Sequence, residues 1–222
     1  MMRFSMVSVR RQAAWRRSVS SAAFGDKFFA SDGFLVRGAS SDVNEFEVMG
    51  VSPHVKVDLR KVEDNMRALQ RRLHPDKFAQ TSEDERLKAE EASSRVNACY
   101  AVVKDPLLRA NAAITLETGR NVLAEESDQS KIDMDLLMEV MDTREAIEAA
   151  ENPETLENLK NINNDNMRKT HTRLIDAYEQ HDFQQAADEL LRLQYYSKIR
   201  TEIFAQSEKN QWPLHQCKVP II

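Results

Sequence analysis

Glycine is scarce, with five residues in 222, too few for the turns of an all-β chain. Cysteine is scarcer. Cys99 and Cys217 form no CxxC pair, and the five histidines are scattered without ligand spacing. No metal site and no cofactor are therefore expected. Nowhere does the chain reach the ~18 consecutive apolar residues of a membrane span, which predicts a soluble protein with no membrane partner. Acidic residues are missing before Asp26, whereas Arg3, Arg10, Arg11, Arg16 and Arg17 recur there among serine and apolar residues. That composition predicts a mitochondrial transit peptide over residues 1–25, hence a matrix location, with a plain basic tail as the alternative. Losing those five positive charges, with no negative ones, would move the formal charge from −5 to about −10. A chain that acidic lacks the electrostatic footprint of nucleic-acid binding.

What is present is helical. Hydrophobic residues make up 41% and charged residues 30%, a balance that supports one or two small domains with real cores. Leu59, Val62, Met66, Leu69 and Leu73 alternate spacings of three and four, the apolar stripe of an amphipathic helix. Arg60, Asp64, Arg67 and Arg71 form a second stripe facing away, and Arg72 adds charge at its end. Ala89, Ala92, Val96, Cys99 and Val103 repeat the rhythm, and Cys99 is expected there as a small core residue rather than a reactive thiol. Between the two patterns lies His74-Pro75-Asp76-Lys77. The position before proline resists helical dihedrals, so the expected arrangement is an antiparallel hairpin with His-Pro-Asp in an exposed loop at its tip.

Residues 26–43 read as a flexible lead-in and 44–120 as the hairpin region, whose last piece is a short helix from Leu107 to Leu116 that Gly119 could end. Residues 121–131 are polar and acidic, a linker. The stretch 132–207 predicts three helices, near 133–151, 154–179 and 182–207, broken at Pro153 and at Gln180-His181-Asp182 and folded as an antiparallel bundle. Its expected core comprises Leu156, Leu159, Leu174, Tyr178, Phe183, Ala187 and Leu190. Residues 208–222 form a tail. The first bundle helix is apolar on two sides: Leu136, Val140 and Ile147 make one narrow stripe, and Met134, Leu137, Met138 and Met141 lie nearly opposite. A helix of that kind buries both faces or offers one to a partner, and methionine suits an adaptable binding surface. Twelve acidic residues against two basic ones between 125 and 157 make the expected partner basic.

The hairpin with its His-Pro-Asp tip resembles a J domain, the module that stimulates ATP hydrolysis by DnaK-type heat-shock chaperones. Phe46-Glu47-Val48-Met49-Gly50-Val51 is similar to the short first helix of that module with its glycine exit. Val96-Asn97-Ala98-Cys99-Tyr100 and Val102-Val103-Lys104-Asp105-Pro106 are similar to the end of its third helix. A J domain followed by a small three-helix domain, without Gly/Phe-rich or CxxCxGxG segments, resembles the HscB family of iron–sulfur cluster co-chaperones over residues 44–207. Leu73-His74-Pro75-Asp76-Lys77-Phe78, Asp105-Pro106-Leu107-Leu108-Arg109-Ala110, and Leu137-Met138-Glu139 leading to Arg144-Glu145 carry the likeness. Ala112 departs from the family's frequent tyrosine, and Met141-Asp142 from its usual Leu-Glu pair.

The resemblance implies an all-α protein that is not itself an enzyme. Its implied partners are a mitochondrial DnaK-type chaperone and the iron–sulfur cluster scaffold protein. His74, Pro75, Asp76 and Lys77, with Arg67, Arg71 and Arg72, would engage the chaperone and stimulate its ATPase. Leu137, Met138, Met141, Asp142 and Glu145, with Tyr195 from the last helix, would bind the scaffold. Two other readings predict different behaviour: a general J-domain co-chaperone would bind unfolded clients broadly, and a helical adaptor would leave every chaperone's ATPase unchanged.

Overall fold

The computed structural model describes residues 43–78, 81–124, 133–212 and 214. The transit-peptide segment, the lead-in before Val43, most of the linker and nearly all of the tail beyond Trp212 lie outside the described residues. Those residues form two compact units that divide between Asp105 and Pro106, and every regular element in them is helical.

The first unit contains α1 (Glu45–Val48), α2 (Leu59–Arg72), a 3-10 turn (Pro75–Phe78) and α3 (Glu83–Lys104). The expected α3 stripe is buried at all five positions, as are Val62, Leu69 and Leu73 of α2, while Leu59 and Met66 at the stripe's edge are half-buried. Each helix starts where a side chain can satisfy its free N–H groups. Asp58 accepts from the backbone of Arg60 and Lys61. Ser82 and Glu85 close a reciprocal capping box on α3. Gln70 locks the hairpin register by donating to Asn97 at 2.9 Å and accepting from Ser93 at 3.2 Å. The chain leaves α1 through Gly50 at φ +65°, where a β-carbon would also meet Asn65 Nδ2 at 3.0 Å. That amide donates to the Met49 carbonyl at 2.8 Å, so glycine serves both the left-handed turn and the close approach of α2.

The second unit contains α4 (Pro106–Thr118), α5 (Met134–Glu148), α6 (Pro153–Glu179) and α7 (Phe183–Lys209). The two breaks fall where expected: Asn152 caps α6 with Pro153 in its first turn, and His181 turns the chain at φ +62°. Gly119, at φ +75°, ends α4. At 27 residues each, α6 and α7 span about 40 Å and form the unit's long hairpin. One core cluster joins Leu136, Val140 and Ile147 of α5 to Leu156 and Met167 of α6 and to Leu193, Tyr196, Ile199 and Ile203 of α7.

Three expectations are corrected. First, α4 packs against α7 and clusters with the second unit rather than with the hairpin region. Its apolar residues Ala110, Ala113 and Ile114 are buried, and α7 is the helix it packs on. Second, Phe183 and Leu159 are half-buried rather than core; Phe183 instead meets the Tyr178 ring edge-on at 5.7 Å. Third, α7 runs to Lys209, and the chain beyond it turns back, with the Trp212 N–H donating to the Ser207 carbonyl at 2.9 Å. Trp212 and Leu214 then pack on the bundle core.

Candidate functional site

The tip of the first unit is polar and open. Pro75 begins a 3-10 turn in the exposed loop, and the Lys77 N–H donates to the His74 carbonyl at 3.0 Å. His74 Nδ1 accepts the Asp76 backbone N–H at 3.3 Å and lies 3.4 Å from Asp76 Oδ2. The imidazole thereby fixes the backbone of the residue that follows Pro75, and the Asp76 carboxylate is left outward, its side chain 89% exposed. Lys77 is exposed beside it.

On α2, Arg67, Arg71 and Arg72 are all exposed. Arg67 is engaged with Glu63 at 3.6 Å and Asp64 at 3.5 Å. Exposed pairs of this kind are worth well under about 1 kcal/mol, so the guanidinium remains available to a partner. The tip therefore combines one outward carboxylate with a basic helix face.

In the second unit α5 is held from one side. Asp133 pairs with Arg192. Arg144 grips Glu202 through three hydrogen bonds of 2.8 to 3.1 Å. Between them the Glu139 carboxylate accepts from Tyr196 Oη at 3.1 Å and from Asn166 Nδ2 at 3.0 Å. Burial, and then the neighbouring Glu139 charge, push the Tyr196 phenol up to about 12, so it stays a donor. These ties clamp the stripe of Leu136, Val140 and Ile147 onto the core and turn the opposite face outward.

On that outward face Met134 is 68% exposed, Met138 58% and Met141 60%. Asp142 and Glu145 are exposed as well, and Leu137 is half-buried. Side chains this large are seldom left in water together on one helix face without a partner.

Tyr195 is half-buried against the core cluster, with Lys198 Nζ 5.4 Å from the ring centre. Helical periodicity puts Tyr195 on the strip that carries Arg192 and Glu202, and Leu137 on the strip that carries Asp133 and Arg144. The ion pairs joining those strips set Leu137 and Tyr195 along one side of the α5–α7 seam. All six residues expected to bind the scaffold thus border α5 or this seam. The expected chaperone-binding residues lie at the tip and on α2.

Sequence reasoning missed the clamp itself. Arg144, which with Glu145 carries part of the family likeness, commits its guanidinium to Glu202. Periodicity cannot reveal partners 57 to 59 residues apart.

Comparison with known proteins gives a consistent result. Residues 132–203 match a family model described as the HSCB C-terminal oligomerisation domain. The "Co-chaperone protein HscB homolog" of Vibrio vulnificus strain YJ016 is 30% identical over 171 residues, covering 75% of this chain and 98% of the relative. The mouse "Iron-sulfur cluster co-chaperone protein HscB" is 27% identical over 182 residues, covering 82% of this chain and 76% of that protein. Among solved structures, chaperone HscB from Vibrio cholerae superposes with a TM-score of 0.66 at 30% identity, over 77% of this chain and all (100%) of that one. Human co-chaperone protein HscB superposes with a TM-score of 0.71 at 26% identity, over 79% of this chain and 85% of that one. With both helical units present and nearly the full length of the bacterial relative covered, this chain belongs to the HscB family of co-chaperones.

Proposed function

We propose that this protein binds the iron–sulfur cluster scaffold through its second unit and brings it to a mitochondrial DnaK-type chaperone, whose ATPase the first unit stimulates. The observation that carries this reading is the pairing of an outward Asp76 at the hairpin tip with an exposed methionine face on a separate compact unit. The chain makes no bond itself. Asp76 presents charge and hydrogen-bond acceptors to the chaperone, His74 and Pro75 hold the turn, Lys77 extends its polar edge, and Arg67, Arg71 and Arg72 steer α2 toward an acidic surface. Leu137, Met138, Met141 and Tyr195 supply apolar contact to the scaffold, and Asp142 and Glu145 select basic side chains around it. Two attachments on one chain raise the effective concentration of scaffold near the chaperone.

Single-turnover ATP hydrolysis by the purified chaperone tests the reading. The chain is expected to accelerate hydrolysis, and scaffold added with it to accelerate hydrolysis beyond the sum of either alone. No effect of the chain would overturn the co-chaperone mechanism. Acceleration by arbitrary unfolded chains, but not by scaffold, would make it a general co-chaperone.

The address rests on the arginine-rich, acid-free start. A fusion of residues 1–40 to a fluorescent reporter is expected to enter mitochondria and lose its N-terminal segment. Diffuse cytosolic fluorescence with an intact segment would leave those arginines as a tail.

A further inference from the structure

On the α6 side of α5 the surface opens into a groove of about 260 Å³ whose lining includes Val140, Ala146, Leu159 and Ile162, with Glu139 and Asp142 as its charged residues. This volume lies below the ~300–1,000 Å³ of small-molecule sites and suits one or two side chains. Its outer edge is Ile162, 59% exposed on α6. The floor belongs to the core through Tyr196 and Ile199. Glu139 is already occupied by Tyr196 and Asn166. Asp142 is exposed, and its carboxylate makes no hydrogen bond or ion pair with any described residue.

Asp142 also borders the methionine face. In angular order around α5, the groove gives way to Asp142, then Met138, then Met141. The groove and the face are therefore one continuous surface wrapped over a single helix.

We infer that the scaffold-binding surface extends across α5 into the α5–α6 groove, which takes an apolar side chain, seated on Ile162 and Leu159, from a basic segment of the scaffold whose cation pairs with Asp142. The inference rests on the reading of α5 as the scaffold-binding helix. Charge selects this occupant over a second copy of the chain. Residues 133 to 166 hold ten acidic side chains and two basic ones; of the basic pair, Arg144 is held by Glu202 and Lys160 is buried beside Glu157. Two such surfaces repel each other, whereas a basic segment gains from every carboxylate along the rim.

Calorimetric titration of the full chain with purified scaffold protein tests it. Ile162→Ala leaves charge unchanged and is expected to weaken binding about fivefold or more, as for an apolar anchor seated at an interface. Ile162→Lys is expected to weaken it further, and Ile162→Leu to restore it. The melting temperature should hold in all three, because Ile162 is exposed. Wild-type affinity in Ile162→Ala and Ile162→Lys, with binding lost on truncating Leu137, Met138 and Met141, would overturn the extension and leave the α5 reading standing. Wild-type affinity in every variant would overturn both. If Ile162→Lys instead converts an oligomer to monomer at unchanged scaffold affinity, the groove belongs to a second copy and the inference fails.

Discussion

Asp76→Asn is expected to lower stimulation of the chaperone's ATPase by about tenfold or more, the scale on which removing a charged, hydrogen-bonded partner at an interface acts. The substitution keeps size and shape and removes the charge. The turn should survive it, because the backbone N–H of residue 76 still donates to His74 Nδ1. With the side chain 89% exposed, the stability change should stay within about 0.5 kcal/mol. Single-turnover hydrolysis at saturating chain, together with a thermal melt, measures both. An unfolded variant would make the loss uninformative, and His74→Gln then provides the second measurement: its amide can still hold the turn but its shape differs. Full stimulation by a well-folded Asp76→Asn chain would remove the tip from the mechanism.

Truncating Leu137, Met138 and Met141 together to alanine is expected to weaken scaffold binding well over tenfold, since large side chains central to an interface carry most of its energy. Buried side chains of this size cost about 2–5 kcal/mol each when truncated. Met138 and Met141, at 58% and 60% exposure, should cost far less, and half-buried Leu137 an intermediate amount. The clamp through Arg192, Tyr196 and Glu202 remains, so α5 should stay docked. Titration calorimetry is the measurement for affinity, and circular dichroism for the melt. Stimulation of the chaperone by the chain alone should persist, while the increment due to scaffold disappears. A collapse in melting temperature would make the three side chains core. A stable variant with undiminished affinity would move the site off α5.

The sequence by itself determined the longer helices and most of their buried positions, because burial along one helix repeats every three or four residues. Every residue of the α3 stripe is buried, and both bundle turns sit at Pro153 and His181. It determined the two-sided character of α5 as well, since two apolar sectors on one short helix are visible without any partner. What it left open was which surface covers each stripe. The α4 pattern was legible, yet only packing assigned that helix to α7 and the second unit, because periodicity reports that a face is buried and not against what. The seam between α5 and α7 came from the same source. Asp133–Arg192, Glu139–Tyr196 and Arg144–Glu202 join residues 57 to 59 apart, and no local pattern records a pairing at that distance. Ile162 carries the lesson to the candidate surface. In sequence it is one more apolar residue on a long amphipathic helix. It becomes the exposed edge of a groove only because Leu136, Val140 and Ile147 draw α5 down beside α6 and leave that side chain 59% exposed.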